Sequence, residues 1–236
     1  MGNIIDKIGL SKFEILRNPW ALSGIIAGAI VVFVLLLIII RRRKFKKVIN
    51  VILTDNKEGD DKSSQENYEP VVKRIKKVRR KYKSILFTSV EPGILPVTIP
   101  VNAAIALAKN KKRCLLIDLD FKRDAIAQVF GLAVEQGSLR AKAVQTEIEN
   151  LWVWPSYNFS QAKLMNVAEI VEKAIDNKFD FVLINAPSIL NSPDRKQIIS
   201  AARAAFICTK NQAERKKLTE LIKPTDCTII GHLQAS

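Results

Sequence analysis

Asp118 and Asp120 in LLIDLD, Asn185 in VLINAP, Lys210 in ICTKN and the polar turn after Ser89 all stand where a short apolar run ends. Carboxylates two residues apart at such a place are candidates for ligand binding. Their competing role is structural: to hydrogen-bond the next loop or cap the next helix. Other chemistries are excluded by composition. Cys114, Cys208 and Cys227 form no C-x-x-C pair, so neither a disulfide scaffold nor a Cys-rich zinc site is expected. His232 is the single histidine, which leaves little room for His-based metal binding or a His-containing triad. No metal site is expected. His232 reads as an incidental surface or edge residue, the cysteines as small apolar strand residues, and the alternating Trp152 and Trp154 as core packing.

The elements that must position these residues are legible from residue 84 onward. SILFTS (84–89), RCLLIDLD (113–120), LWVWP (151–155), FDFVLINAP (179–187), AAFICTK (204–210) and CTIIGHL (227–233) read as strands. Segments near 100–110, 123–130, 164–177, 194–203 and 212–222 read as helices. Alternation of helices with almost wholly apolar strands predicts an α/β fold, a mostly parallel sheet with helices on both faces. Ligands of such sheets sit off the carboxyl ends of the strands, where the polar residues collect.

The 236 residues hold 38 Lys+Arg against 23 Asp+Glu, a net charge of +15, and 48% hydrophobic residues. That is enough apolar material for a real core. Fourteen of the fifteen charge units lie in two runs. The first is Arg41, Arg42, Arg43, Lys44, Lys46 and Lys47. The second is Lys73, Arg74, Lys76, Lys77, Arg79, Arg80, Lys81 and Lys83. The remainder is nearly neutral.

The first run abuts Ala21–Ile40, ALSGIIAGAIVVFVLLLIII, which carries no charge. As a helix it would be about 30 Å long, the thickness of a bilayer's hydrocarbon core. It has no polar face, Trp20 stands at one edge, and it lacks the short apolar core and cleavage site of a signal peptide. A transmembrane helix is expected over 21–40. The basic excess on its C-terminal flank puts residues 41–236 in the cytoplasm and 1–20 outside. The expected location is the plasma membrane, single-pass. Residues 41–67 read as a basic juxtamembrane segment and flexible linker, and 68–236 as the cytoplasmic domain. In VVKRIKKVRRKYKS, Val71, Val72, Ile75, Val78 and Tyr82 recur at helical spacing, which predicts a basic amphipathic helix. It either lies on anionic headgroups or packs its apolar stripe on the domain, and the two are compatible. Tyr68 and Tyr82 read as solvent-facing.

TSVEPGILPVTIPVNAAIALAKNKKRCLLIDLDFKRDAIAQVFGL resembles the P-loop region of deviant-Walker ATPases. The closest class is the cytoplasmic domain of bacterial tyrosine kinases that accompany polysaccharide export, with Par/Min-type partitioning ATPases as cousins. Their pattern is TS-x-x-PGEGKST-x-x-x-NLA, then LLIDxDxR, then FDxxxIDxPP. Asn102, LLIDLD with Asp118 and Asp120, FDFV and Pro187 match it in order, and the resemblance runs from about Tyr68 to Leu233. It implies a P-loop NTPase-like fold. It also implies that Asp118 and Asp120 are remnants of a Mg²⁺ and phosphoryl-transfer site, and that Gly93, Thr98 and Asn102 are remnants of a nucleotide loop.

The departures fall on the chemistry. Ile94, Leu95, Pro96 and Val97 stand where the family has Glu, Gly, Lys and Ser. Pro96 removes an N–H as well as the ammonium, Leu95 adds a Cβ where the loop needs glycine, and Val97 has no hydroxyl for Mg²⁺. Pro100 fits only a first helical turn, so the helix is expected to start late with Thr98 as N-cap. Asn185 replaces the second Asp, and an amide is a poorer ligand for a hard cation. Thr98 is the one hydroxyl able to take over Val97's role. The tyrosine cluster of the kinases has no counterpart among Tyr68, Tyr82 and Tyr157.

The expected function is therefore a membrane-anchored pseudo-ATPase or pseudokinase, a scaffold or regulator in exopolysaccharide or capsule biosynthesis or export. Its expected partners are membrane lipids and a homologous P-loop ATPase or kinase, or a polysaccharide-export membrane protein, with a homo-oligomer as a further arrangement. No cofactor is expected, and ATP with Mg²⁺ enters only if residual nucleotide binding survives. The alternatives are an active membrane-bound tyrosine kinase or ATPase, and a membrane-tethered partitioning or positioning protein. Nucleic acid is disfavoured, because lipid headgroups are the nearer anion for both basic runs.

Overall fold

The computed structural model describes residues 30–35, 49–53, 61–121, 125–132, 143–156, 167–186, 188–190 and 192–235. The chain divides into two units, 1–47 and 48–236. Of the first, residues 30–35 are helical, and Ile30, Val31, Val32, Phe33, Val34 and Leu35 all expose their side chains, Phe33 by 62%. The rest of the expected span and the basic run 41–47 lie outside the described residues. Among the described residues no helix is long and apolar enough to cross a membrane.

The second unit is built on an eight-stranded sheet: β1 (Ile49–Leu53), β2 (Ser84–Ser89), β3 (Cys114–Asp118), β4 (Val144–Gln145), β5 (Leu151–Trp154), β6 (Phe181–Asn185), β7 (Ala204–Thr209) and β8 (Thr228–Ala235), in the order β1-β8-β7-β2-β6-β3-β5-β4. Every pairing is parallel except β4 with β5. The helices are α1 (Asp61–Val78), α2 (Thr98–Lys109), α3 (Ala125–Val129), α4 (Val167–Asp176), α5 (Arg195–Ser200) and α6 (Gln212–Ile222). The α/β expectation from residue 84 onward therefore holds, with boundaries shifted by a few residues.

Both faces of the central strands are buried, which is why those strands are apolar throughout rather than alternating. Leu86, Leu115, Ile117, Val182, Ile184 and Ile207 join one core with Val171 of α4, Ile198 of α5 and Leu218 of α6. On the opposite face Phe87 stacks on Phe206 at 5.1 Å, and α1 and α2 supply Val71, Ile75, Ala103, Ala104 and Leu107, all buried. Gly231 of β8 lies against Phe206: a Cβ there would come within 2.3 Å of the ring, next to a register shift at Ala205/Phe206.

Several expectations change. The tract read as flexible linker contributes β1, paired to β8, and the first turns of α1. Val and Ile in INVIL suit a strand, but the partner is about 180 residues away. The amphipathic helix packs its stripe on the domain: Val71, Val72, Ile75 and Val78 are buried, while Lys73, Lys76, Lys77, Arg79 and Arg80 are exposed. Arg74 departs from its basic neighbours. It is 4% exposed, its Nε donates to the Ile230 carbonyl at 3.1 Å, and burial holds its pKa below the usual value. It is not a surface cation. Tyr82 is buried and donates its hydroxyl to Thr228 Oγ1 at 3.1 Å. His232 is buried within β8, between β1 and β7, so it is neither a surface nor an edge residue. Burial, with Arg215 nearby, lowers its pKa to about 4. The core-packing reading of Trp152 and Trp154 holds: both are half-buried and pack against the core from one face of β5, while Leu151 and Val153 are buried on the other. Arg113 lies over the Trp152 ring at 5.2 Å, and Phe179 meets that ring edge-on at 5.2 Å.

Candidate functional site

The chain leaves β2 for β3 on one side of the sheet and later leaves β6 for β7 on the other. The crevice for a ligand in such a sheet opens at that reversal, above the carboxyl ends of β2, β6 and β3. The loop 90–97 lies there, followed by α2.

The loop is anchored by its own apolar residues. Val90, Ile94 and Leu95 are buried, at 4%, 8% and 4% exposure. Ser188, after β6, donates its hydroxyl to the Val90 carbonyl, Ser89 donates to the Glu91 carbonyl at 2.7 Å, and the Cys208 thiol reaches the Ile94 carbonyl at 3.6 Å. Gly93 has φ +87°, a conformation that requires glycine, and open space around it. Lys210, at the end of β7, approaches Glu91 at 3.5 Å, both side chains exposed. Helix α2 begins at Thr98, with Val97 in the N-cap position and no side-chain cap bond. The expected N-cap role of Thr98 is thus not realised: Val97 and Thr98 already join the helical turn, and Thr98 is exposed. Pro100 sits in the first turn, where its missing N–H costs nothing. Asn102 is half-buried one turn further on.

Two strands away, Asp118 closes β3 with no exposed surface. Its Oδ1 accepts the Asp120 backbone N–H at 3.0 Å and the Asn185 amide Nδ2 at 2.9 Å. Asn185 lies opposite Asp118 in the β3–β6 ladder, and its own carbonyl accepts the Leu119 N–H at 2.8 Å. Oδ2 of Asp118 is buried with no hydrogen-bond partner among the described residues. Burial raises the Asp118 pKa to about 6; the Asn185 and Asp120 donors hold it down in part, and the Asp120 charge adds to the rise. Asp120 is buried as well, at 5% exposure.

The site expected from sequence thus falls into two groups at one end of the sheet, Gly93, Thr98 and Asn102 above β2, and Asp118 and Asp120 above β3, with Asn185 between them. Sequence alone gives no sign that Ser188, Cys208 and the Lys210–Glu91 pair tie the loop down. Ser188, Lys210 and Glu91 are polar residues just past a strand, and that position is their only signal; Cys208 lies within β7 and reads as a small apolar strand residue.

These residues do not fit a magnesium nucleoside triphosphate. Loop 90–97 contains no ammonium, Pro96 offers no N–H, Leu95 fills space with a buried side chain, and Lys210 is partnered by Glu91. Asp118 Oδ1 already holds two donors, which leaves Oδ2 as its one open oxygen. Among the described residues no cluster of three His, Cys, Asp or Glu could hold a metal ion. A separate groove of about 1050 Å³ along α6, lined among others by Asn50, Arg215, Thr219 and His232, includes neither Asp118 nor the loop.

A mostly parallel sheet whose first central strand runs through a glycine loop into a helix, with an Asp closing the strand two places away, defines a P-loop NTPase-like domain. No family model matches the chain. It is 28% identical over 150 residues to EpsB of Ralstonia solanacearum, which carries a tyrosine-protein kinase name; the match covers 58% of this chain and 20% of EpsB. It therefore spans about a fifth of that relative's length. It is 27% identical over 191 residues to tyrosine-protein kinase CpsD of Streptococcus pneumoniae serotype 4, covering 72% of this chain and 83% of CpsD. The crystal structure of the chimerical protein CapA2B2 superposes with a TM-score of 0.64 at 21% identity, over 82% of this chain and 96% of that one. The septum site-determining protein MinD of Pyrococcus horikoshii, complexed with Mg-ADP, superposes with a TM-score of 0.51 at 17% identity, over 64% of this chain and 70% of that one. In sequence the chain is similar to bacterial tyrosine kinases, and its fold is shared with them and with MinD-type P-loop ATPases.

Proposed function

We propose that this protein is a membrane-anchored pseudokinase, a tyrosine-kinase-like P-loop domain that works by binding rather than by phosphoryl transfer. It holds a homologous P-loop ATPase or kinase, or a polysaccharide-export membrane protein, at the inner face of a bacterial plasma membrane. The kinase names of its relatives support a kinase-like domain, and the family resemblance supports a role in exopolysaccharide or capsule production. The six consecutive exposed apolar side chains at 30–35 support a span over 21–40.

The observation that carries the loss of turnover is the Asp118–Asn185 hydrogen bond. In a working magnesium site two carboxylates converge and the cation offsets their repulsion. Here an amide donor stands in place of the second carboxylate, so it adds no repulsion and offsets part of the cost of burying Asp118. Pro96 and the buried Leu95 act in the same direction at the loop. The test is calorimetric titration of the purified full chain with ATP and Mg²⁺, with a hydrolysis assay and a phosphotyrosine blot in parallel. The expected result is no turnover and no phosphotyrosine. Magnesium-dependent hydrolysis that disappears in Asp118→Ala would overturn the reading and favour an active kinase or ATPase.

A further inference from the structure

Every strand but β4 runs in one direction, so the turns leading into β2, β3 and β6 share the amino end of the sheet, opposite loop 90–97. Arg79, Arg80, Lys81 and Lys83 come from the α1–β2 turn, Lys111 from the α2–β3 turn and Lys178 from the α4–β6 turn, and all six are exposed. Strands β2, β6 and β3 are consecutive in the sheet, so cations about 100 residues apart in sequence gather over roughly 10 Å, two strand spacings. In these three turns the carboxylate is Asp180, which accepts the Arg113 N–H at 3.0 Å and meets Lys112 at 3.9 Å; exposed Asp176 at the end of α4 and exposed Glu147 and Glu149 before β5 border the cations at the same edge. Asp226, before β8, is met by Arg203 at 3.7 Å. The apolar stripe of α1 is buried, so this face has charge to offer and no hydrophobic wedge.

The chain also enters the folded unit at this end, because Ile49 begins a β1 that runs parallel to β8. With a span over 21–40, the tether is residues 41–48, at most about 29 Å of extended chain. That tether carries six further basic residues.

We propose that the amino edge of the sheet is a docking face for an anionic lipid surface, holding the domain with Asp118 and loop 90–97 directed away from the bilayer. This rests on the membrane-anchored reading above and adds an orientation to it. Contact is electrostatic and close, because screening confines such attraction to about 8 Å at physiological ionic strength. Lipid is favoured over nucleic acid because the tether keeps this edge near headgroups.

The test reconstitutes the full chain into vesicles of phosphatidylcholine with and without phosphatidylglycerol, with energy-transfer acceptors on the headgroups. One donor label is placed by Asn177→Cys at the amino edge, another by Gln212→Cys at the carboxyl edge; Cys114, Cys208 and Cys227 are buried and stay in place. Transfer from position 177 is expected to exceed transfer from 212 in phosphatidylglycerol vesicles. The difference should vanish without that lipid, or in about 1 M salt, where the screening length is ~3 Å. In Lys111→Glu/Lys178→Glu it should fall by at least about half, two charges being reversed near the surface, a net change of about four units. Equal transfer from both positions, or indifference to phosphatidylglycerol, overturns the proposal. Displacement of the edge from the vesicles by duplex DNA at low salt assigns the face to nucleic acid instead. Release of the chain by alkaline wash would refute the span and leave the two-label comparison on peripherally bound protein to judge the face.

Discussion

The Asn185 amide donates to Asp118 Oδ1 at 2.9 Å across the neighbouring parallel strands β6 and β3. The pair is buried, and Asp120 N–H supplies a second donor to the same oxygen. An acidic position thus persists beside an amide donor that offsets only part of the cost of its burial.

Asn185→Asp reverses that arrangement. It sets a second carboxylate against Asp118 and removes a donor from a buried oxygen, a loss of about 2 kcal/mol at neutral pH. Urea unfolding should show the loss, and added Mg²⁺ should recover part of it in the variant but leave the natural protein unchanged. Equal stability of variant and natural protein without Mg²⁺ would contradict the role assigned to the amide.

Asp118 also sets a pH dependence. Its pKa rises from 3.8 to about 6 on folding, so the folded state binds the proton more tightly than the unfolded state. Its unfavourable contribution is absent below the unfolded value, grows as pH rises from about 4 to about 6, and is constant above, reaching about 3 kcal/mol. Asp118→Asn should abolish that increment. The measurement is the unfolding free energy of both proteins at pH 4 and pH 7, and parallel curves would refute the assignment.

Gly231→Ala should destabilise strongly. The new methyl would come within 2.3 Å of the Phe206 ring, itself stacked on Phe87, and 3.2 Å from Ile49. Overpacking of this kind costs about 1–3 kcal/mol. A thermal midpoint within a degree of the natural protein's would show that β1 and β8 have slack the packing does not suggest.

Arg74→Met should lower stability by about 1–2 kcal/mol, because the Ile230 carbonyl loses its buried donor. It should leave partitioning onto anionic vesicles unchanged, unlike Arg80→Met. A parallel loss of vesicle partitioning in both variants would return Arg74 to the surface.

The central strands are legible in sequence because burial on both faces makes them continuous apolar runs; SILFTS and AAFICT begin where the pattern says they should. The polar residues at their carboxyl ends follow from the same logic. β1 is not legible, because four apolar residues and Asn50 inside a polar tract become a strand only when the edge of β8 is present to pair with. The burial of Arg74 is likewise invisible, since its neighbours in a basic helix differ from it only in the direction they face. Thr98 has the chemistry of an N-cap, but helical backbone already at Val97 places it one position too late.

The amino-acid sequence by itself determined the class of fold, the loss of the loop ammonium at Pro96 and of the second acid at Asn185, and the placing of charge in two runs. All of these are properties of residue type and local spacing. Only the tertiary structure decided that Asn185 donates to Asp118 Oδ1, that Val90, Ile94 and Leu95 pin the loop, and that Lys111 and Lys178 join Arg79–Lys83 on one edge. Those relationships join residues up to about 100 positions apart. Parallel strand pairing brings such residues together, and no local pattern encodes which strand will lie beside which.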